Sequence, residues 1–132
     1  MVIDTSAIVA ILRDEPERYE FDRLIHADDV RLASAVTRVE ASFVIEGRWG
    51  NAGRLGLDRF FRLADIEIVT VTAEQAELAV EAFRRYEKGR HPIGLNIGDC
   101  FPYALAKSTG EPLLFKGRDF SQTDIVPVYR AP

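Results

Sequence analysis

Four acidic residues occupy contexts in which a carboxylate can do chemistry: Asp4, Glu40, Asp99 and Asp119. Asp4 ends the β-branched opening Met-Val-Ile and is followed by Thr5 and Ser6, hydroxyl residues suited to capping a helix start. A strand that stops there presents its carboxylate at the carboxyl edge of a sheet, where open α/β folds bind ligands. Glu40 sits among Val39, Ala41 and Phe43, Asp99 opens a helical stretch in Asn96-Ile97-Gly98-Asp99-Cys100-Phe101, and Asp119 follows Phe115-Lys116-Gly117-Arg118. Carboxylates drawn into one place repel one another, at about 1 kcal/mol for unit charges ~4 Å apart even in water. A hard divalent ion such as Mg²⁺ relieves that repulsion, since it takes a few carboxylates, water and phosphate oxygens as ligands. Such an ion acidifies water, orients it in line with phosphorus and stabilises the leaving oxygen. Phosphodiester cleavage by this route needs no Ser, His or Cys nucleophile.

Each acid also has a plainer explanation. Asp4 could form a solvated Asx-turn at a strand end, and Asp119 could be an ordinary turn residue. A helix glutamate is usually solvated, and an acid in a first helical turn is favoured by the helix dipole. Arg90 and His91 precede Asp99 in a loop, and Lys116 and Arg118 flank the stretch before Asp119. They are exposed loop residues by default, or contacts to RNA phosphates, for which arginine is well shaped. Cys100 is the only cysteine, so no intramolecular disulfide can form and no Cys/His cluster suggests zinc. His26 lies among surface charges. Trp49, Phe43, Phe60 and Phe61 are expected in the core or at a subunit interface rather than as base-stacking platforms.

The elements that must position these side chains alternate between strand and helix. Val2–Asp4 reads as a buried strand, Ser6 to about Leu12 as a buried helix, and Pro16 as the break before an amphipathic helix reaching about Asp28. Val30–Ala33 is expected as a strand. A helix from Ser34 or Thr37 to about Trp49 follows, with Val36, Val39, Phe43 and Val44 on one face. Gly50–Gly53 reads as a turn, Leu55–Ala64 as a helix and Ile66–Val71 as the clearest strand. Thr72 caps a helix to about Lys88, with Glu74 near the capping-box position. Gly89–Ile97 is a loop, Gly98 to about Ser108 a helix stopped by Gly110, and Leu113–Lys116 and Ile125–Val128 the last strands. This alternation predicts a parallel sheet covered by helices on both faces.

The chain's 132 residues suit a single domain spanning 1–132. A net charge of −4 argues against non-specific wrapping of nucleic acid, although bound cations reverse the local sign at an acidic site. No stretch approaches the ~20 apolar residues of a membrane span, and no signal peptide is visible. A reducing cytoplasm is the expected location.

Taken together, Val2-Ile3-Asp4-Thr5-Ser6-Ala7, Glu40 in its amphipathic helix, Asn96 through Ala106, and Pro112 through Phe120 resemble the PIN-domain ribonucleases, specifically the VapC-type toxins of type II toxin–antitoxin systems. The resemblance covers the whole chain. It implies a three-layer α/β/α fold with a central parallel sheet and an endoribonuclease dependent on Mg²⁺ or Mn²⁺. It also implies 5′-phosphate and 3′-hydroxyl products, a homodimer, and inhibition by a VapB-type antitoxin. The family's acidic positions fall on Asp4, Glu40 and Asp99, which would hold the metal, with Asp119 completing the site and Thr5 or Ser6 orienting a carboxylate or water. One departure stands out. Many relatives carry Thr-X-Asp-X-Asp-Phe after the fourth strand, whereas here Phe115 replaces the threonine and Gly117 the first aspartate. Asp124 is an alternative source of a fourth acid.

Two rival functions share these residues. One is an acidic-site phosphoryl-transfer domain with a phosphorylated aspartate, for which Lys116 would be a partial candidate for the required lysine. The other is a catalytically weakened PIN domain that binds RNA or an antitoxin. For an antitoxin, the apolar Ala7–Leu12 followed by charged Arg13–Glu17 suggests a groove beside the first helices.

Overall fold

The computed structural model describes residues 1–86 and 94–132. Arg90 and His91, with most of the expected 89–97 loop, lie outside the described residues. In chain order the elements are β1 (Val2–Ile3), α1 (Thr5–Leu12), α2 (Arg18–Ala27), β2 (Leu32–Ser34), α3 (Ala35–Leu63), β3 (Glu67–Val69), α4 (Ala73–Tyr86), α5 (Ile97–Thr109) and β4 (Leu113–Leu114).

The strands form one parallel sheet in the order β3-β2-β1-β4. Side chains alternate across a strand, and the register pairs Val2 with Leu113 and Ile3 with Leu114. Ile3 and Leu114 enter a core with Ala7, Ile8, Phe21, Ile25, Ile45 and Leu57 from α1, α2 and α3. Val2 and Leu113 enter a second core with Ala79, Ala82, Tyr103 and Leu105 from α4 and α5. The sheet is therefore sandwiched between two helical layers, the α/β/α architecture that strand–helix alternation predicts.

Several expected boundaries shift. The 50–53 turn is a kink within α3, where only Gly50 departs from helical geometry (φ 58°, ψ −137°). Apolar periodicity also misplaces the buried face of α3. Thr37, Ala41 and Ile45 face the core, while Val39, Phe43 and Val44 are exposed. The Ile125–Val128 strand reduces to one parallel bridge between Leu113 and Pro127. Leu113 N–H donates to Val126 O and Val128 N–H donates to Leu113 O, both at 2.9 Å. Pro127 has no N–H to offer outward, which closes that sheet edge. At α4 the Thr72 hydroxyl accepts from Gln75 N–H at 3.1 Å, so Gln75 rather than Glu74 fills the expected place.

Candidate active site

Asp4 follows β1 directly and caps α1. Its backbone is extended (φ −82°, ψ 157°), and Oδ2 accepts from Ser6 N–H at 3.0 Å and Ser6 Oγ–H at 2.5 Å. The side chain stands at the carboxyl edge of the sheet yet is only 5% exposed. Burial pushes its pKa up, the Ser6 and Thr5 hydrogen bonds oppose that rise, and the charge of Asp119 adds to it.

Glu40 projects from the second turn of α3, directly after β2. Thr5 Oγ1 donates to its Oε1 at 3.3 Å. Burial raises its pKa, and the neighbouring Asp4 carboxylate raises it further. On its other side lies the first turn of α5. A Cβ on Gly98 would fall 2.0 Å from Glu40 Oε2. Only glycine lets the two elements approach this closely.

Asp99 is held by a reciprocal cap at the start of α5. Asn96 Oδ1 accepts from Asp99 N–H, and Asp99 Oδ2 accepts from Asn96 N–H, each at 3.0 Å. Burial lifts its pKa to about 7 against the opposing Asn96 hydrogen bond, with Asp4, Asp119 and Glu40 each pushing it higher. Asp119 is exposed on the loop after β4, and its charge reaches both Asp4 and Asp99. Four segments far apart in the chain thus deliver mutually repelling carboxylates to one place.

Among the described residues, none of these four acids has an ion-pair partner. No three His, Cys, Asp or Glu side chains among the described residues are drawn together into a ready metal cage. The donor set is nonetheless all oxygen and anionic. It fits Mg²⁺, which retains several waters and takes one or two protein carboxylates directly.

The loop after β4 engages other expected side chains. Lys116, expected as a possible RNA contact, is ion-paired within the protein. Its Nζ pairs with Glu15 Oε2 at 2.5 Å and Glu17 Oε2 at 2.9 Å. Gly117 has φ 99°, so an aspartate there would be strained, and its replacement of the usual acid is built into the backbone. Arg118 is exposed. Asp124 accepts from Tyr103 Oη at 2.6 Å and Lys107 Nζ at 2.9 Å, which commits it to α5 rather than to the acid group. The Cys100 thiol is pushed up to about 11, mainly by burial, and stays protonated at neutral pH.

Sequence reasoning overlooked Gly98 and Asn96. The spacing Asn96-X-X-Asp99 carried the signal for the cap, whereas nothing local marked Gly98 as the neighbour of Glu40. It named Ser6 only as a general orienting group, without the bond it makes to a second chain segment. Ser6 Oγ accepts from Lys116 N–H at 2.9 Å while donating to Asp4.

Comparison with known proteins agrees with this fold. The PIN domain family matches residues 1–126. Ribonuclease VapC30 of Mycobacterium tuberculosis is 52% identical over 128 residues, 97% of this chain and 98% of the relative. Among solved structures, M. tuberculosis VapC20, a sarcin-ricin loop cleaving toxin, superposes with a TM-score of 0.78 at 19% identity, covering 98% of each chain. VapBC2 from Rickettsia felis, bound to a DNA fragment from its promoter, gives 0.75 at 14% identity over 96% of this chain and 95% of that one. These two likenesses concern the fold. The identity to VapC30 and the domain match carry the assignment: the chain belongs to the PIN-domain family, within its VapC ribonucleases.

Proposed function

We propose that this protein is the toxin of a VapBC-type pair, a single-domain endoribonuclease acting in the cytoplasm with Mg²⁺ or Mn²⁺. One observation carries the proposal. The buried carboxylate of Asp4 and the half-buried ones of Glu40 and Asp99, brought in by β1, α3 and α5, repel one another with no described cation to offset them. A fold retains such a cluster when a bound ion supplies the missing charge.

Asp4, Glu40 and Asp99 are the residues proposed to hold the ion, with Asp119 at the exposed rim. A bound divalent ion would acidify an attacking water and offset charge on the phosphate. The chain's own part is orientation. Ser6 fixes Asp4, Thr5 steadies Glu40, and Asn96 fixes Asp99. The 560 Å³ groove beside Asp119 is lined by Arg118, Ser121, Gln122 and Arg130. Neither arginine is ion-paired among the described residues, which suits them to RNA phosphates.

Partner surfaces fit the same function. Ala7, Ile8 and Ala10 are buried in the core, so only the end of the Ala7–Leu12 segment is open to a partner. Beside the first helices, a 460 Å³ groove runs along Ile11, Leu12, Tyr19, Phe60 and Leu63, with Arg59 and Asp22 beside it. An amphipathic antitoxin segment would lay its apolar side there. Val39 and Phe43, 49% and 75% exposed on the helix that carries Glu40, suit burial against a second copy.

The phosphoryl-transfer alternative needs an unengaged lysine beside an acceptor aspartate, and Lys116 is already paired with Glu15 and Glu17. The test is cleavage of RNA by the purified protein in Mg²⁺. Asp4→Asn is expected to retain the fold by circular dichroism and lose at least about 100-fold in rate. Undiminished cleavage by that variant would overturn the assignment.

A further inference from the structure

Resting on the nuclease function above, we propose that Lys116 is a positioning residue, gripped by Glu15 and Glu17 so that its backbone N–H fixes Ser6 and, through Ser6, Asp4. The grip joins two places far apart in the chain. Glu15 and Glu17 flank Pro16 at the α1–α2 corner, while Lys116 lies two residues beyond β4. The corner is itself well anchored: Glu15 N–H donates to Ala10 O and Arg18 N–H to Glu15 O, both at 2.9 Å. All three charged side chains are partly covered, at 34%, 26% and 24% exposed. Burial of this degree, in a network that also takes in Arg13 with its Nε 3.9 Å from Glu15 Oε1, makes the contact more than an isolated surface pair. The network also holds Glu17 below its ordinary carboxylate range, mainly through Lys116, and Lys116 above its ordinary range, through Glu15 first and Glu17 second.

The consequence reaches Asp4 through one hydroxyl. Serine has a single hydroxyl proton and two acceptor positions. Lys116 N–H occupies an acceptor position on Ser6 Oγ at 2.9 Å. That N–H orients the hydroxyl so that its proton goes to Asp4 Oδ2, 2.5 Å away. Releasing the lysine would free the β4 loop, loosen the N–H, and let the Ser6 proton turn away from Asp4. The same loop carries Asp119.

The experiment compares wild type, Lys116→Met, the double variant Glu15→Gln/Glu17→Gln, and all three changes combined. RNA cleavage in Mg²⁺ and hydrogen–deuterium exchange of residues 115–120 are both measured. Loss of position costs kcat rather than KM. Lys116→Met and the double glutamine variant are each expected to lose roughly ten- to a hundredfold in kcat, with KM within about twofold. The triple variant is expected to be no worse than either, since all remove one interaction. Exchange at 115–120 should quicken in each. If the glutamine variant instead binds RNA more tightly at full kcat, or Lys116→Met raises KM alone, Lys116 contacts RNA directly and the proposal fails. Unchanged exchange in the variants overturns it as well. If Lys116→Met does not fold, the glutamine variant decides alone. If wild type cleaves no RNA, the nuclease function falls, and exchange still decides whether the grip exists.

Discussion

Asp99 holds a proton near neutrality where an ordinary aspartate has none, and this has a measurable consequence for the metal-free protein. Its pKa rises from 3.8 to about 7 on folding. Below about pH 4 the folded and unfolded chains are both protonated at this residue. Between about 4 and 7 the folded chain keeps a proton that the unfolded chain has released. Stability must therefore fall as pH rises through that window and level off above it. Asp4 and Glu40, also shifted upward, act in the same direction. The melting temperature without divalent ions is expected to decline from pH 5 to pH 7.5 by several degrees, and Asp99→Asn should flatten the decline. A melting temperature that climbs over this range in wild type would contradict the assigned burial. At this scale the sequence was informative. A β-branched run ending in Asp4, and an acid in the first turn after Asn96, were visible as local patterns. The Lys116 pairing was invisible, because its partners at Glu15 and Glu17 lie across the fold and an isolated lysine reads as solvated.

The elements matter through the angle at which they meet. Helix α3 brings Glu40 against α5, and the contact exists only because Gly98 has no side chain. Gly98→Ala would place a methyl group inside the Glu40 carboxylate, which must then rotate away from Asp4 and Asp99. The expected result is at least a tenfold loss of Mn²⁺ affinity, the scale seen when groups supporting metal ligands are removed. Calorimetry would measure it, alongside a circular dichroism spectrum like wild type. Unchanged affinity would show that Glu40 does not face the ion. Element type was readable from periodicity and turn residues for most of the described chain, the Gly50–Gly53 turn and the Ile125–Val128 strand excepted. The buried face of α3 was not. Val39, Phe43 and Val44 are apolar at helical spacing, yet the core takes Thr37, Ala41 and Ile45. Apolarity on the outer face reflects a surface that a single chain leaves uncovered. At Gly50–Gly53 turn-forming residues suggested an end to the helix, but one non-helical residue at Gly50 suffices to redirect it.

At the scale of the whole molecule, a four-stranded parallel sheet gathers chemistry at one edge. β1 delivers Asp4, the helix after β2 delivers Glu40, α5 delivers Asp99 and the loop after β4 delivers Asp119. None of these segments could form the site alone, so the site is a property of topology more than of any motif. The surfaces around it divide by chemistry. Arginines line the groove beside Asp119, apolar residues line the groove between α1, α2 and α3, and the exposed side of α3 lies next to Glu40. The two grooves share no lining residue, so the surfaces proposed for RNA and for an antitoxin are distinct.

The negative centre at the sheet edge is the central claim, and a divalent ion is its direct probe. Mn²⁺ titrated by calorimetry at pH 8, above the value of about 7 to which Asp99 is raised, should show saturable binding to wild type. Affinity should fall at least about tenfold in both Asp4→Asn and Asp99→Asn, since each removes a charge from the same ion. Equal affinity in all three proteins, or no binding by wild type, would contradict it.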